Sequence, residues 1–254
     1  MATRYQNLKQ WNHWLAASPD GGHMLLHEEA KELSAILSQQ MLAKYAALIG
    51  VPAQKMLLQQ SNGLYQVLIG ALSHRHDETV YIEADYQELP IFSGQVDLVI
   101  LPHTLEWVEH PRQLLAEACR IVKPEGLIVI IGFNPHSLFK CTQLWKKKSG
   151  IPWSAAFLSM HELTNWVKLA GFHIEQLSSF LYRPLTKHSY FFDRLPIFEW
   201  IGKHVFPYYG GLYMLVARAK EIPLTPIKMQ WKQQLTGARI SSAMSGRTIH
   251  DEIT

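Results

Sequence analysis

At 254 residues, 48% hydrophobic and 18% charged, the chain can bury a full core, and by length it is one domain with additions. A net charge of +3 is too mild for the basic face of a general nucleic-acid binder. Cys119 and Cys141 stand in no metal-ligand or redox spacing, so free thiols in a reducing compartment are expected.

The N-terminus, MATRYQNLKQWNHW, lacks the apolar core of a signal peptide, and the longest apolar run, at 127–133, is too short to span a bilayer. A cytoplasmic protein is expected. After the turn Pro19-Asp20-Gly21-Gly22, apolar residues from Leu25 to Tyr45 recur at helical spacing, which predicts one long amphipathic helix, or two, ending near Gly50. Residues 1–55 are thus expected to form an N-terminal helical extension. The run Met56–Leu58 then predicts a buried strand over 56–60, running into the turn signal Ser61-Asn62-Gly63. Further strands are predicted at 79–84, 96–101 and 126–132. Between the last two, Pro111 suits a first helical position and Leu114, Leu115, Ala118 and Val122 form a stripe. Strand, helix, strand with two-sided apolar strands implies a parallel crossover. A helix at about 160–170, closed by Gly171, leads to strands at about 172–180 and at 212–219. Residues 56–220 form the predicted domain, a doubly wound, mostly parallel α/β sheet. Residues 221–254 lose periodicity and are expected to be a disordered tail.

Residues 83–135 carry the most specific pattern: Asp85, Leu89-Pro90, Asp97, His103, Pro111, Leu114, Leu115, Glu117, Arg120, Lys123, Pro124 and Gly126. In this order the block resembles the core of class I S-adenosylmethionine-dependent methyltransferases of the type 11 kind. The stretches LPHTLEW (101–107) and GFNPHSL (132–138), with Trp14, Ser18, Pro19, Gly22, Leu25, Leu26 and Glu28, resemble a bacterial subgroup of that family. The resemblance implies S-adenosylmethionine as cofactor and methyl transfer to a small or lipid-like acceptor. It places Gln59, Ser61, Asn62 and Gly63 at the family's glycine-rich loop and Asp85 beside the adenine. With Leu101, Pro102 and His103 these would be the turns at the carboxyl ends of the strands, where an open parallel sheet binds its ligand. A carboxylate at 85 can accept from the exocyclic amine, and His103 can orient substrate or act as a base. A plain loop histidine is the alternative.

Two features depart from the family. The loop QQSNGL has one glycine. About 18 residues separate the first two predicted strands, whereas one crossover takes roughly 30, so the first cofactor half is abbreviated to one short helix or a short strand such as 67–72. The acid that usually closes the second strand is absent at Leu72-Ser73-His74. Asn62-Gly63 also allows a hairpin joining 56–60 to 65–71. A catalytically inactive binding or scaffold protein of the same fold is therefore the alternative to an enzyme, and nucleic-acid modification is a weaker third reading.

His103, Glu106 and His110 have metal-like spacing but fit no zinc-protease pattern, and no metal is expected. HRHDE at 74–78 suits a polar turn, and FNPHS at 133–137 lacks the second proline of amino-group methyltransferases. The aromatic stretch 180–209 suits either a lid over an apolar acceptor or a packed helix. The basic stretch 139–153 suits a solvated face, or a membrane or anionic contact.

Overall fold

Among the described residues, six strands that run one way and one reversed strand next to the far edge set the architecture. The computed structural model describes residues 2–39, 43–72, 80–137, 155–182 and 209–220. The chain divides into two units, Met1–Glu221 and Ile222–Thr254, and the fold below is that of the first. The aromatic stretch from 183 to 208, the basic stretch at 139–153, HRHDE and the tail lie outside the described residues.

Strands β1 (Tyr45–Ile49), β2 (Tyr65–Gly70), β3 (Val80–Glu83), β4 (Val96–Pro102), β5 (Val122–Phe133), β6 (Phe172–Phe180) and β7 (Leu212–Ala219) form one sheet in the order β3-β2-β1-β4-β5-β7-β6. β1 to β5 pair in parallel, and β7 runs antiparallel to both β5 and β6. The apolar runs of β1, β4 and β5 are buried almost throughout, as strands covered on both faces must be. The α-helices of the described residues are α1 (Ala2–Ala17), α2 (Met24–Leu37), α3 (Lys55–Gln59), α4 (Thr104–Trp107), α5 (Pro111–Ile121) and α6 (Met160–Leu169). In α5, Pro111 occupies the first turn and Leu114, Leu115, Ala118 and Ile121 are buried. α6 begins at Ser159, whose hydroxyl accepts from the Glu162 N–H. No described helix is long and apolar enough to cross a membrane.

The structure corrects the N-terminal half of the expected order. Tyr45–Ile49 is a strand and not the end of a helix, while Lys55–Gln59 is a helix and not the first strand. β1 therefore lies inside the predicted extension, and the sheet begins before residue 56. The hairpin alternative fails too, since Tyr65–Gly70 pairs with Tyr45–Ile49 in parallel. The cramped gap resolves with this shift: β2 falls inside it, close to the short strand expected at 67–72, and β3 is the strand expected at 79–84. The first half is still abbreviated, because the connection from β1 to β2 holds only the single α-helical turn-and-a-half of α3 and a short 3₁₀ turn, Pro52–Gln54. The N-terminal helices are part of the core. Leu8, Trp11 and Leu15 of α1, and Leu25, Leu26, Leu33 and Ile36 of α2, are buried with the sheet.

The family-pattern residues act as scaffold. Glu117 and Arg120 pair at 2.8 Å. Arg120 donates to the carbonyls of Leu89 and Ile91, and Glu117 accepts from the Leu89 N–H, so the pair clips the β3–β4 connection onto α5. Arg120 first, then the Leu89 N–H, holds the Glu117 carboxyl below its usual range despite some burial. Asp97 bridges Lys123 (2.7 Å) and the Tyr45 N–H (2.8 Å), tying β4, β5 and β1 together at their amino ends.

Candidate functional site

In the order β3-β2-β1-β4-β5 the chain turns one way from β1 and the other way from β4, so the crevice outside the carboxyl ends of β1 and β4 is the topological switch point. The loops there are Gly50–Gln54 after β1, Ala84–Tyr86 after β3 and His103–Trp107 after β4.

His103 is the centre of this region. It follows β4 with φ +57, a left-handed conformation that a residue other than glycine seldom takes, and its N–H donates to the Ile131 carbonyl. Its imidazole is buried, with Nε2 2.7 Å from Glu29 Oε1 and Nδ1 3.0 Å from Glu106 Oε2. Glu106 Oε1 accepts from the Phe133 N–H at 2.6 Å, so both Glu106 oxygens serve as acceptors and that carboxylate is fixed to the end of β5. An acid at each ring nitrogen favours the doubly protonated imidazole. Burial alone would lower its pKa, but the charges and hydrogen bonds of Glu29 and Glu106 outweigh burial and push it up to about 9. Burial raises the Glu106 carboxyl, against the pull of His103 and the Phe133 N–H. Two buried acids thus face one buried imidazole. Glu29 Oε2 has no hydrogen-bond partner among the described residues.

Aromatic rings close this cluster. Trp11 of α1 meets His103 edge-on (5.5 Å between centroids), stacks on Trp107 (5.4 Å), and packs against Phe133 (6.1 Å); Phe133 lies 4.2 Å from the imidazole. The indole N–H of Trp107 is buried and, among the described residues, without an acceptor. On the β1 side, Gln54 Oε1 accepts from the Val51 N–H (3.0 Å) and its Nε2 donates to the Pro102 carbonyl (2.9 Å). A β-carbon on Gly50 would collide with that Gln54 carbonyl. Thr104 Oγ1 donates to the carbonyls of Ile49 and Pro102, and the buried Tyr86 donates to the Gly50 carbonyl at 3.0 Å.

Of the residues expected at a cofactor site, Leu101, Pro102 and His103 stand at the switch point, and Asp85 stands at the carboxyl end of β3, exposed, accepting from the Gln87 N–H. Gln59, Ser61, Asn62 and Gly63 do not join them. They precede β2, so they lie at the amino ends of the strands, the opposite edge of the sheet. Ser61 Oγ is turned onto the Leu58 carbonyl. Gly63 is needed for close packing: a β-carbon there would lie 3.0 Å from the Ala46 side chain. The loop that follows β1 is GVPAQ, one element earlier than expected. His110 is exposed while His103 and Glu106 are buried, so these three do not converge.

Sequence reasoning missed Glu29, Gln54, Tyr86 and Trp11. The N-terminal resemblance was placed on Glu28, but the acid that reaches His103 is its neighbour Glu29. Spacing could have shown this, because Leu25, Leu26, Glu29, Ala30 and Leu33 share the buried face of α2. An open groove of about 450 Å³ lies at the other edge, lined by Tyr45, Tyr65, Val80, Gln95 and Lys123 among others. It is remote from the carboxyl-end crevice and carries no buried acid.

A family model described as a methyltransferase domain matches residues 36–130. The chain is 34% identical over 168 residues to the uncharacterized protein YafS of Escherichia coli (strain K12), covering 65% of each. It is 30% identical over 89 residues to the malonyl-[acyl-carrier protein] O-methyltransferase of Laribacter hongkongensis, covering 35% of this chain and 30% of that protein. The chain therefore spans about two thirds of the first relative's length and under a third of the second's. The fold is shared with a Thermotoga maritima S-adenosylmethionine-dependent methyltransferase at TM-score 0.58 and 16% identity, covering 87% of this chain and all of that one.

Proposed function

The chain belongs to the class I S-adenosylmethionine-dependent methyltransferases of the type 11 kind, and from that premise we propose that it methylates an oxygen of a small or lipid-linked acceptor held at His103. The observation that carries this reading is the buried imidazolium between Glu29 and Glu106 at the β1/β4 switch point. The matched relative named for malonyl-[acyl-carrier protein] O-methylation supports an oxygen acceptor on a carrier.

The residues present fit the family's donor in charge. S-Adenosylmethionine carries a sulfonium, an ammonium and a carboxylate, one net positive charge, and the site offers two buried acids against one imidazole, with Glu29 Oε2 unpartnered among the described residues. Gly50–Gln54, Asp85 and the Leu101–His103 corner are the segments that would hold it. When bound it supplies an already activated methyl group, so the protein's task is alignment. His103, with Nε2 on Glu29 and Nδ1 on Glu106, has neither a free lone pair to remove a proton nor a free N–H, and so suits acting as a fixed positive charge toward an anionic acceptor oxygen. Glu106 keeps the ring oriented through Nδ1. Trp11, Trp107 and Phe133 exclude water from the imidazole face.

One observation favours a binding protein that has lost the donor: Gln54 and Tyr86 fill the loop after β1 with the chain's own side chains. Calorimetric titration of the full chain with S-adenosylmethionine and S-adenosylhomocysteine separates the two. Saturable one-to-one binding is expected. A folded sample giving no heat with either compound would establish the binding-protein reading instead.

A further inference from the structure

Among the described residues, three buried side-chain polar atoms lack a hydrogen-bond partner: Glu29 Oε2, Trp107 Nε1 and Ser178 Oγ. Ser178 belongs to β6, away from the switch point. The other two belong to one cluster. Glu29 enters it through His103 at 2.7 Å, and Trp107 through its stack on Trp11, which itself meets the His103 ring. One is an acceptor carrying charge and the other is a donor. A buried acceptor or donor left unmade costs about 1–3 kcal/mol, more for a charged group, so a fold seldom keeps both within one cluster unless something pairs them.

Resting on the methyltransferase reading, we infer that Glu29 and Trp107 receive the amino-acid end of the donor, Glu29 taking its α-ammonium and Trp107 its α-carboxylate. An ammonium has three N–H donors for the free carboxylate oxygen, and a carboxylate is the acceptor an indole N–H lacks. The sulfonium has no N–H to give, and a carboxylate set against it would stabilise the charged ground state more than the charge-dispersing transition state. The other buried acid of the cluster cannot substitute, because both Glu106 oxygens are already bonded, to His103 and to the Phe133 N–H. The residues in the loops after β1 and β2 that the structure describes, Gly50–Gln54 and Ala71-Leu72, include no acid. Glu29, carried in from α2, supplies the charge those loops lack.

The test uses the full chain, with Glu29→Gln and Trp107→Phe, and three probes: S-adenosylmethionine, S-adenosylhomocysteine and 5′-methylthioadenosine, which lacks the amino-acid end. Glu29→Gln should weaken the first two by an equal factor, roughly 10- to 100-fold, and leave 5′-methylthioadenosine unchanged. Trp107→Phe keeps the stack on Trp11 and breaks no ion pair, so it should fold even if Glu29→Gln does not; it should weaken the same two probes and spare the third. Equal loss of all three probes would make the residues structural and overturn the assignment. Greater loss of S-adenosylmethionine than of S-adenosylhomocysteine would move Glu29 to the sulfonium, and unchanged affinities would also overturn it. A wild-type chain that binds none of the probes would overturn the donor reading itself, a result the variants cannot produce.

Discussion

His103 sits in a left-handed backbone conformation with both ring nitrogens bonded to buried carboxylates, an arrangement that persists only when its surroundings over-determine it. Its charge is linked to stability. The folded pKa of about 9 lies above the ordinary 6.5, so the stabilisation is complete below about pH 6.5 and is lost as pH rises through about 9. The difference is worth up to roughly 3 kcal/mol. Thermal melts of the wild type should therefore fall between pH 7 and 9.5, whereas His103→Gln should be less stable at pH 6.5 and nearly flat across that window. A wild-type melting temperature that stays constant from pH 7 to 9.5 would show that the imidazole is neutral. Gln54 offers a second measurement at this scale. Its amide joins the Val51 N–H after β1 to the Pro102 carbonyl at the end of β4, and Gln54→Ala leaves both groups buried without it. That change should cost about 1–3 kcal/mol in urea unfolding. In an enzyme it should also raise affinity for S-adenosylhomocysteine by emptying the crevice, an outcome a donor-free binding protein would not give.

The elements that were legible in the sequence are those whose length or punctuation decides between helix and strand. α5 has Pro111 at its first turn and an apolar stripe, α6 is closed by Gly171, and β4, β5 and β7 are long apolar runs. The start of the sheet, β1 and the helix α3 that follows it, was not legible, for a physical reason. Tyr45–Ile49 and Lys55–Gln59 are five residues each, and an apolar run of that length is compatible with a buried strand or a buried helix alike. Tyr45 also continues the helical spacing of α2, so local pattern favoured a helix where pairing with β2 and β4 imposes a strand. Exchanging those two elements moved the loop expected after the first strand from GVPAQ to QQSNG, which stands at the amino ends of the strands. The block at 83–135 was legible because Asp97, Glu117, Arg120 and Lys123 are scaffold contacts, which identify a fold better than they identify a site. The same lesson applies to the N-terminal helices. They supply Trp11, Leu15, Leu25 and Leu33 to the core, so they are not an appendage. Trp11→Ala should cost about 3–5 kcal/mol, the range for deleting a fully buried large aromatic side chain, measured by denaturant titration. A loss below about 1 kcal/mol would mean that α1 is only loosely applied to the sheet.

On the scale of the molecule, the two ends of the sheet have divided their roles. The amino ends are tied by Asp97 to Tyr45 and Lys123 and carry the open groove lined by the stacked Tyr45 and Tyr65 among others. The carboxyl ends of β1 and β4 gather the buried ionisable groups under α1 and α2, where strand order reverses and where such sheets place ligands. This polarity makes a spatial prediction that does not depend on knowing the acceptor. Ligand binding suppresses local opening around the site it occupies, so S-adenosylhomocysteine should slow hydrogen exchange in Gly50–Gln54, Asp85–Tyr86, His103–Trp107 and α2. Exchange over Gln59–Tyr65, at the opposite edge, should not change. Helix α2 belongs in the protected set because it carries Glu29 to His103, and an anchored ligand would restrain the helix that holds it. Protection confined to Gln59–Gly63 would return the cofactor to the amino edge and remove the buried triad from the site. Protection of the β1, β3 and β4 loops without α2 would keep the switch point but separate the N-terminal helices from binding.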